Sequence, residues 1–119
     1  MNRAHVSLLV GTDAMNPFVF PGFAVHEELA LLVEAGLTPL EALRAATIAP
    51  AVFLHATDSL GTIDRGKLAD LVLLDANPLI DIRNTSRIRA VVLGGRFLDR
   101  AALDSTLTAA EKAAGGTKP

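Results

Sequence analysis

Apolar residues change their spacing along the chain, and each change marks a different kind of element. Residues 6–10 form a short apolar run, β-branched at both ends and closed by Gly11. That is the pattern of a buried strand, with Thr12 and Asp13 at its C-terminal end. Residues 14–25 lose all periodicity, and Pro17, Pro21 and Gly22 predict a loop into which Phe18, Phe20 and Phe23 are crowded. From His26 to Ala35 the apolar Leu29, Leu32 and Val33 return at helical spacing, and Gly36 stands just past the expected helix end.

Thr38-Pro39-Leu40-Glu41 is the sharpest local signal. Thr38 can accept from the Glu41 amide, Pro39 suits the first helical position, and Glu41 can reach back to the cap. The helix is predicted to run to about Ile48, with Pro50 forcing a break and a new short helix carrying Val52, Phe53 and Leu54. Beyond His55, glycines at 61, 66, 94 and 95 separate short β-rich pieces at residues 62–63, 70–74 and 88–93. Paired Gly94 and Gly95 predict a two-residue hairpin, because such turns demand positive φ. Asp99 is placed to cap a last helix over residues 100–114, with Leu103, Leu107 and Ala110 on one face, and residues 115–119 are expected to fray.

Composition adjusts this picture at the edges. The 119 residues are 50% apolar and 20% charged, enough to bury a core. A mean hydropathy of +0.39 is high for so small a chain, which implies apolar faces that expect a partner or further sequence. With a net charge of −2 no global field draws the chain to nucleic acid or anionic membrane. Arg83, Arg87, Arg89, Arg96 and Arg100 lie beside Asp81 and Asp99 with a single aromatic, Phe97, among them, so they read as a solvated face and no nucleic-acid partner is expected. The chain has no cysteine, which excludes disulfides, thiol nucleophiles and thiolate zinc fingers. The uncharged stretches at 14–25 and 45–54 fall short of the ~18–20 apolar residues that span a bilayer and are broken by proline, so no membrane partner is expected. With no signal-peptide pattern at the N-terminus, a cytoplasmic location is the expectation.

Taken alone, Asp13 is one carboxylate that caps the turn after a strand. The order of pieces around it adds a second reading. Gly11-Thr12-Asp13-Ala14, a Pro/Gly loop, His26-Glu27-Glu28-Leu29, then Gly36-Leu37-Thr38-Pro39-Leu40-Glu41-Ala42-Leu43 and Ala45-Ala46-Thr47-Ile48-Ala49-Pro50-Ala51 closely resemble the end of the metal-dependent amidohydrolase superfamily. The stretch from Gly61-Thr62-Ile63 through Gly66-Lys67-Leu68-Ala69-Asp70 to Asn77-Pro78-Leu79 is similar to that family's C-terminal tail. The likeness is strongest to the imidazolonepropionase and dipeptidase-like branch. Each motif is weak by itself, and all of them fall in register.

The resemblance implies an α/β fold: the C-terminal end of an amidohydrolase TIM barrel, short strands of a small β-sandwich domain, and a C-terminal helix. Residues 1–57 would hold the eighth barrel strand, its loop and helices, and residues 58–119 the sandwich portion with the terminal helix. It implies hydrolysis of a non-peptide or dipeptide-like C–N bond in a small-molecule amide substrate by a metal-activated water, with one or two divalent metals, commonly zinc. Asp13 would lie at the C-terminal face of the barrel as metal ligand and proton shuttle. The family's His-x-His pair and its other ligands would lie upstream, so the chain reads as the C-terminal piece of such an enzyme. It would be inactive alone, and would associate with the upstream barrel portion or with itself as an oligomer. The alternative is a non-catalytic fragment or interaction module that has lost the upstream ligands, since one ligand cannot hold a catalytic zinc.

Around Asp13, two readings stand for His26: contact with substrate at the barrel mouth, or capping and packing of the following helix. No second histidine follows four residues on, so this is no zincin motif. Phe18, Phe20 and Phe23 would shape the lip of a substrate pocket or pack the loop onto the barrel. Asp70 reads as a turn former entering a strand, His5 as a strand residue, and His55 as surface or core filler. Ala49 stands where the family has a polar helix cap.

Overall fold

The computed structural model describes residues 6–14, 16, 17 and 19–115. Helix α1, Ala24–Glu34, starts before the expected His26 because the turn at Phe20 feeds directly into it, the Ala24 amide donating to the Phe20 carbonyl at 3.0 Å. It ends as Gly36 predicts. Gly36 takes φ 103°, and the amides of Gly36 and Leu37 donate back to Val33 and Leu32, the double bond of a Schellman stop. Helix α2, Pro39–Ala46, opens with the expected capping box: Thr38 Oγ1 accepts from the Glu41 amide, and Glu41 Oε2 accepts from the Thr38 amide at 2.8 Å.

The break between helices falls at Thr47 and not at Pro50. Helix α3, Ile48–Phe53, takes Pro50 into its first turn, where a missing N–H loses no intrahelical bond. Thr47 does not cap α3, because its hydroxyl donates back to the Leu43 carbonyl at 2.8 Å. The apolar run 52–54 that follows is exposed.

Strands β1 (Leu71–Leu74), β2 (Ile88–Leu93) and β3 (Arg96–Leu98) form one antiparallel sheet in that order. The register pairs Leu71 with Val92 and Val92 with Phe97. Gly94 and Gly95 both take positive φ, as a type I′ hairpin demands. The expected strand at 62–63 is absent, since Thr62 joins Asp64 and Lys67 in a polar turn and Ile63 is exposed. A 3₁₀ turn, Ile82–Ser86, precedes β2 and was not expected, and the Asp81 side chain caps it by accepting from the Arg83 amide. Helix α4, Arg100–Gly115, begins at Asp99, whose carboxylate accepts from the Ala102 amide at 2.9 Å. None of its residues is buried, and its Leu107 is half exposed. No helix of the described residues is long and apolar enough to cross a membrane.

The strand expected at residues 6–10 is not formed. A β-strand is held by a ladder on a neighbouring strand, and no described residue supplies one. The segment lies instead along the helices, with the Val10 amide donating to the Ala45 carbonyl at 3.0 Å. Val10 packs on a core of Leu29, Ala42 and Ile82, contributed by α1, α2 and the 3₁₀ turn.

That core is thin. Of its buried apolar residues only Leu29 and Ile82 are larger than alanine, and no large side chain is fully buried among the described residues. The chain exposes 9094 Å², whereas a folded monomer of this mass exposes about 6,200 Å².

One contact sets a stability test. Gly61 takes φ 89°, and a Cβ there would stand 2.8 Å from the Ala51 Cβ and 3.1 Å from the Ile48 Cα. Gly61→Ala therefore loses about 2–3 kcal/mol in urea unfolding, combining backbone strain and overpacking. Thr38→Ala, which removes a cap without strain, loses about 1 kcal/mol.

Candidate active site

Asp13 ends the extended segment in an exposed position, with φ 50°. This left-handed geometry is uncommon outside glycine, and Asp tolerates it better than most residues. Asn16 closes the turn. Its Nδ2 donates to the Asp13 carbonyl at 3.2 Å and to Asp13 Oδ2, so one carboxylate oxygen is held by a neutral donor. Asn16 went unnoticed in the sequence, although the Asn16-Pro17 pair is a turn-initiating signal.

Gly11, two residues before Asp13, is tied to α1 by a bond from its amide to Glu28 Oε1 at 3.0 Å. The other oxygen of Glu28 is buried and unpartnered. Glu28 also escaped the sequence reading. Its signal lies in spacing: four residues after Ala24 and four before Leu32, it falls on the core-facing stripe of α1.

His26 is half-buried near the start of α1. Its Nδ1 lies 3.1 Å from Thr85 Oγ1, and that hydroxyl donates to the Ile82 carbonyl at 2.9 Å. A hydroxyl has one proton, so Thr85 accepts from His26, which assigns the proton to Nδ1 and leaves Nε2 an acceptor. The bond joins α1 to the 3₁₀ turn, which gives the packing reading of His26 a definite partner. Partial burial lowers the His26 pKa from its ordinary value by disfavouring the cation.

Phe20 and Phe23 project at the turn leading into α1, both about two-thirds exposed. Phe18 and His5 lie outside the described residues. Asp70 proves to be a clip for the hairpin, its Oδ1 accepting from the Gly94 amide at 2.6 Å. His55, exposed with φ 53°, follows α3.

Among the described residues, no group of three or more His, Cys, Asp and Glu side chains comes together to hold a metal ion. A zinc centre takes about three to four protein ligands. Asp13 fits the role of one ligand, and the described residues do not complete the set.

The amidohydrolase family model matches residues 1–98. Over 75 residues the chain is 44% identical to an imidazolonepropionase of Pyrobaculum arsenaticum, covering 63% of this chain and 18% of that protein. Over 91 residues it is 37% identical to an ochratoxinase of Aspergillus niger, covering 75% of this chain and 18% of that one. The structure is similar to that of a putative prolidase from Bifidobacterium longum, with a TM-score of 0.76 and 38% identity over 92% of this chain and 28% of that one. The chain thus spans about a fifth of the length of these curated relatives.

The His26 bond yields a pH test. A lowered folded-state pKa means that the unfolded chain binds the proton more tightly. The stability His26 contributes is therefore complete above the ordinary value of 6.5 and is lost as pH falls through the lowered folded value. The difference in Tm between the parent and His26→Gln, followed from about pH 7.5 to about pH 5, narrows on acidification. A difference that widens there contradicts this account.

Proposed function

This chain belongs to the amidohydrolase family, and from that premise we propose that it is the C-terminal portion of a metal-dependent hydrolase. The bond cleaved is a C–N bond other than an ordinary peptide, in a cyclic amide or dipeptide-like small molecule. The observation that carries this reading is the placement of Asp13. It is an exposed carboxylate at the end of an extended segment, clasped by Asn16, in a chain that matches the family across this whole region.

Asp13 acts as a general base toward the attacking water and returns the proton to the leaving nitrogen, a task that needs an accessible carboxylate. One of its oxygens accepts from Asn16, which orients the group and leaves the other for a proton. Phe18, Phe20 and His26 border the substrate, His26 through Nε2, since Nδ1 is engaged with Thr85. A divalent metal, zinc by resemblance, would belong to the complete assembly, with Asp13 as one ligand and the others supplied from beyond the described residues.

The exposed surface supports a partner for this chain. It exceeds the folded-monomer value by about 2,900 Å², more than the about 1,000–2,500 Å² that each partner gives up in an obligate interface. The unladdered segment 6–10, with Val6 and Leu9 exposed, is a natural edge for it. The rest of the barrel is one occupant and a second copy of the chain another. A second reading, a non-catalytic module acting by association, is favoured by the incomplete ligand set among the described residues.

Three outcomes follow. The purified chain alone hydrolyses no amide, and zinc-dependent turnover that persists through further purification overturns that. Light scattering at high micromolar concentration shows a dimer or larger species, and a well-folded monomer contradicts the edge-pairing argument. In the enzyme assembled with its remaining portion, Asp13→Asn lowers turnover at least ~10²-fold with little change in Tm. Near-normal turnover with metal bound as in the parent assigns Asp13 to turn capping and overturns its role as proton carrier.

A further inference from the structure

The feature that the fold does least to explain is the Glu28 carboxylate. It sits on the core-facing stripe of α1, its Oε2 is buried without a partner, and its Oε1 accepts one bond, from the Gly11 amide. Among the described residues, no cation pairs with it. A buried, unsatisfied carboxylate oxygen is unfavourable, and an apolar side chain at this position would pack α1 better. What the carboxylate supplies is a charge-assisted bond to one backbone amide.

That amide belongs to a residue with no packing of its own. No heavy atom stands within 4 Å of where a Gly11 Cβ would be, so no side-chain packing fixes this residue. Upstream, Val10 is held by Ala45, and downstream Asp13 is clasped by Asn16, a member of the same exposed turn and not of a helix. The Glu28 bond is thus the hold on α1 closest to Asp13 along the chain. We propose that Glu28 is a positioning residue for Asp13, its Oε1 anchoring the Gly11 amide so that the carboxylate two residues later keeps its left-handed geometry. This rests on the reading of Asp13 as ligand and proton carrier. Small misplacements of such a group are expensive, which gives the anchor its value.

Nitrogen-15 NMR of the 119-residue chain tests this with Glu28→Ala, Glu28→Leu, Glu28→Gln and, as control, Glu27→Ala at an exposed neighbour. In Glu28→Ala, Gly11 amide exchange rises at least tenfold. The Asp13 HN–Hα coupling and the Asn16 side-chain amide resonances move toward averaged values, while Tm does not fall. Glu28→Leu, which fills the volume without an acceptor, shifts the same resonances and serves should the alanine variant not fold. Glu28→Gln keeps an acceptor and restores the parent spectrum. Unchanged Asp13 and Asn16 signals in the Ala and Leu variants overturn the proposal, as does the same shift in Glu27→Ala or failure of Gln to restore it. A loss of Asp13's catalytic role appears only in the turnover of Asp13→Asn and not in these spectra, so the two failures are told apart.

Discussion

The contact among Leu29, Ala42 and Ile82 is the constraint on which the rest of the molecule hangs. Each residue comes from a different element, and together they join α1, α2 and the 3₁₀ turn across half the sequence. The turn leads straight into β2, so the same contact links the sheet to the helices through the turn. Thr85 sits one turn from Ile82 and gives its hydroxyl proton to the Ile82 carbonyl, which frees the oxygen for His26. Val10 packs on the same cluster, which sets the path of the chain just before Gly11 and Asp13. A single small apolar centre thereby anchors both the partner of His26 and the segment that leads to Asp13. Its smallness also leaves little reserve, since burying a Leu or Ile contributes only about 1.5–3 kcal/mol.

Much of the fold was legible because its signals are local. The capping box at Thr38, the Gly36 stop, the Gly94-Gly95 hairpin and the Asp99 cap each depend on residues within a few positions of one another, and each forms as read. The failures are of another kind. Residues 6–10 carry a strand's pattern, but a strand is a relation to a neighbour, and the pattern alone cannot provide one. Pro50 has the character of a breaker, although within the first turn of a helix it breaks nothing. The 3₁₀ turn at Ile82–Ser86 has no periodicity long enough to detect, and is fixed by the burial of Ile82 and the Asp81 cap.

At the site, Asp13 stood out from its motif, whereas its supports did not. Asn16 and Glu28 act through bonds to backbone and to a neighbouring side chain that spacing does not display. The role of His26 was open between two readings. The structure supplies a partner for the packing reading in Thr85, fifty-nine positions away, a pairing that no local rule would find. The family likeness reaches the sheet through residue 98, and the exposed apolar surface is in keeping with a chain that covers only part of its relatives' length.

Helix α4 is attached in a different manner from the rest. It buries no residue, and at its first turn, where the Asp99 cap and an Arg100–Asp104 pair brace the helix itself, a bond from Arg100 to the Ile88 carbonyl ties it to the sheet. Its outer turns therefore open and close without disturbing the sheet, at a small fraction of the free energy of global unfolding. Proteases would trim this helix back toward Arg100 while the remainder stays folded. The same independence makes the C-terminal end a place where a reporter or affinity sequence can be joined without pulling on the residues around Asp13.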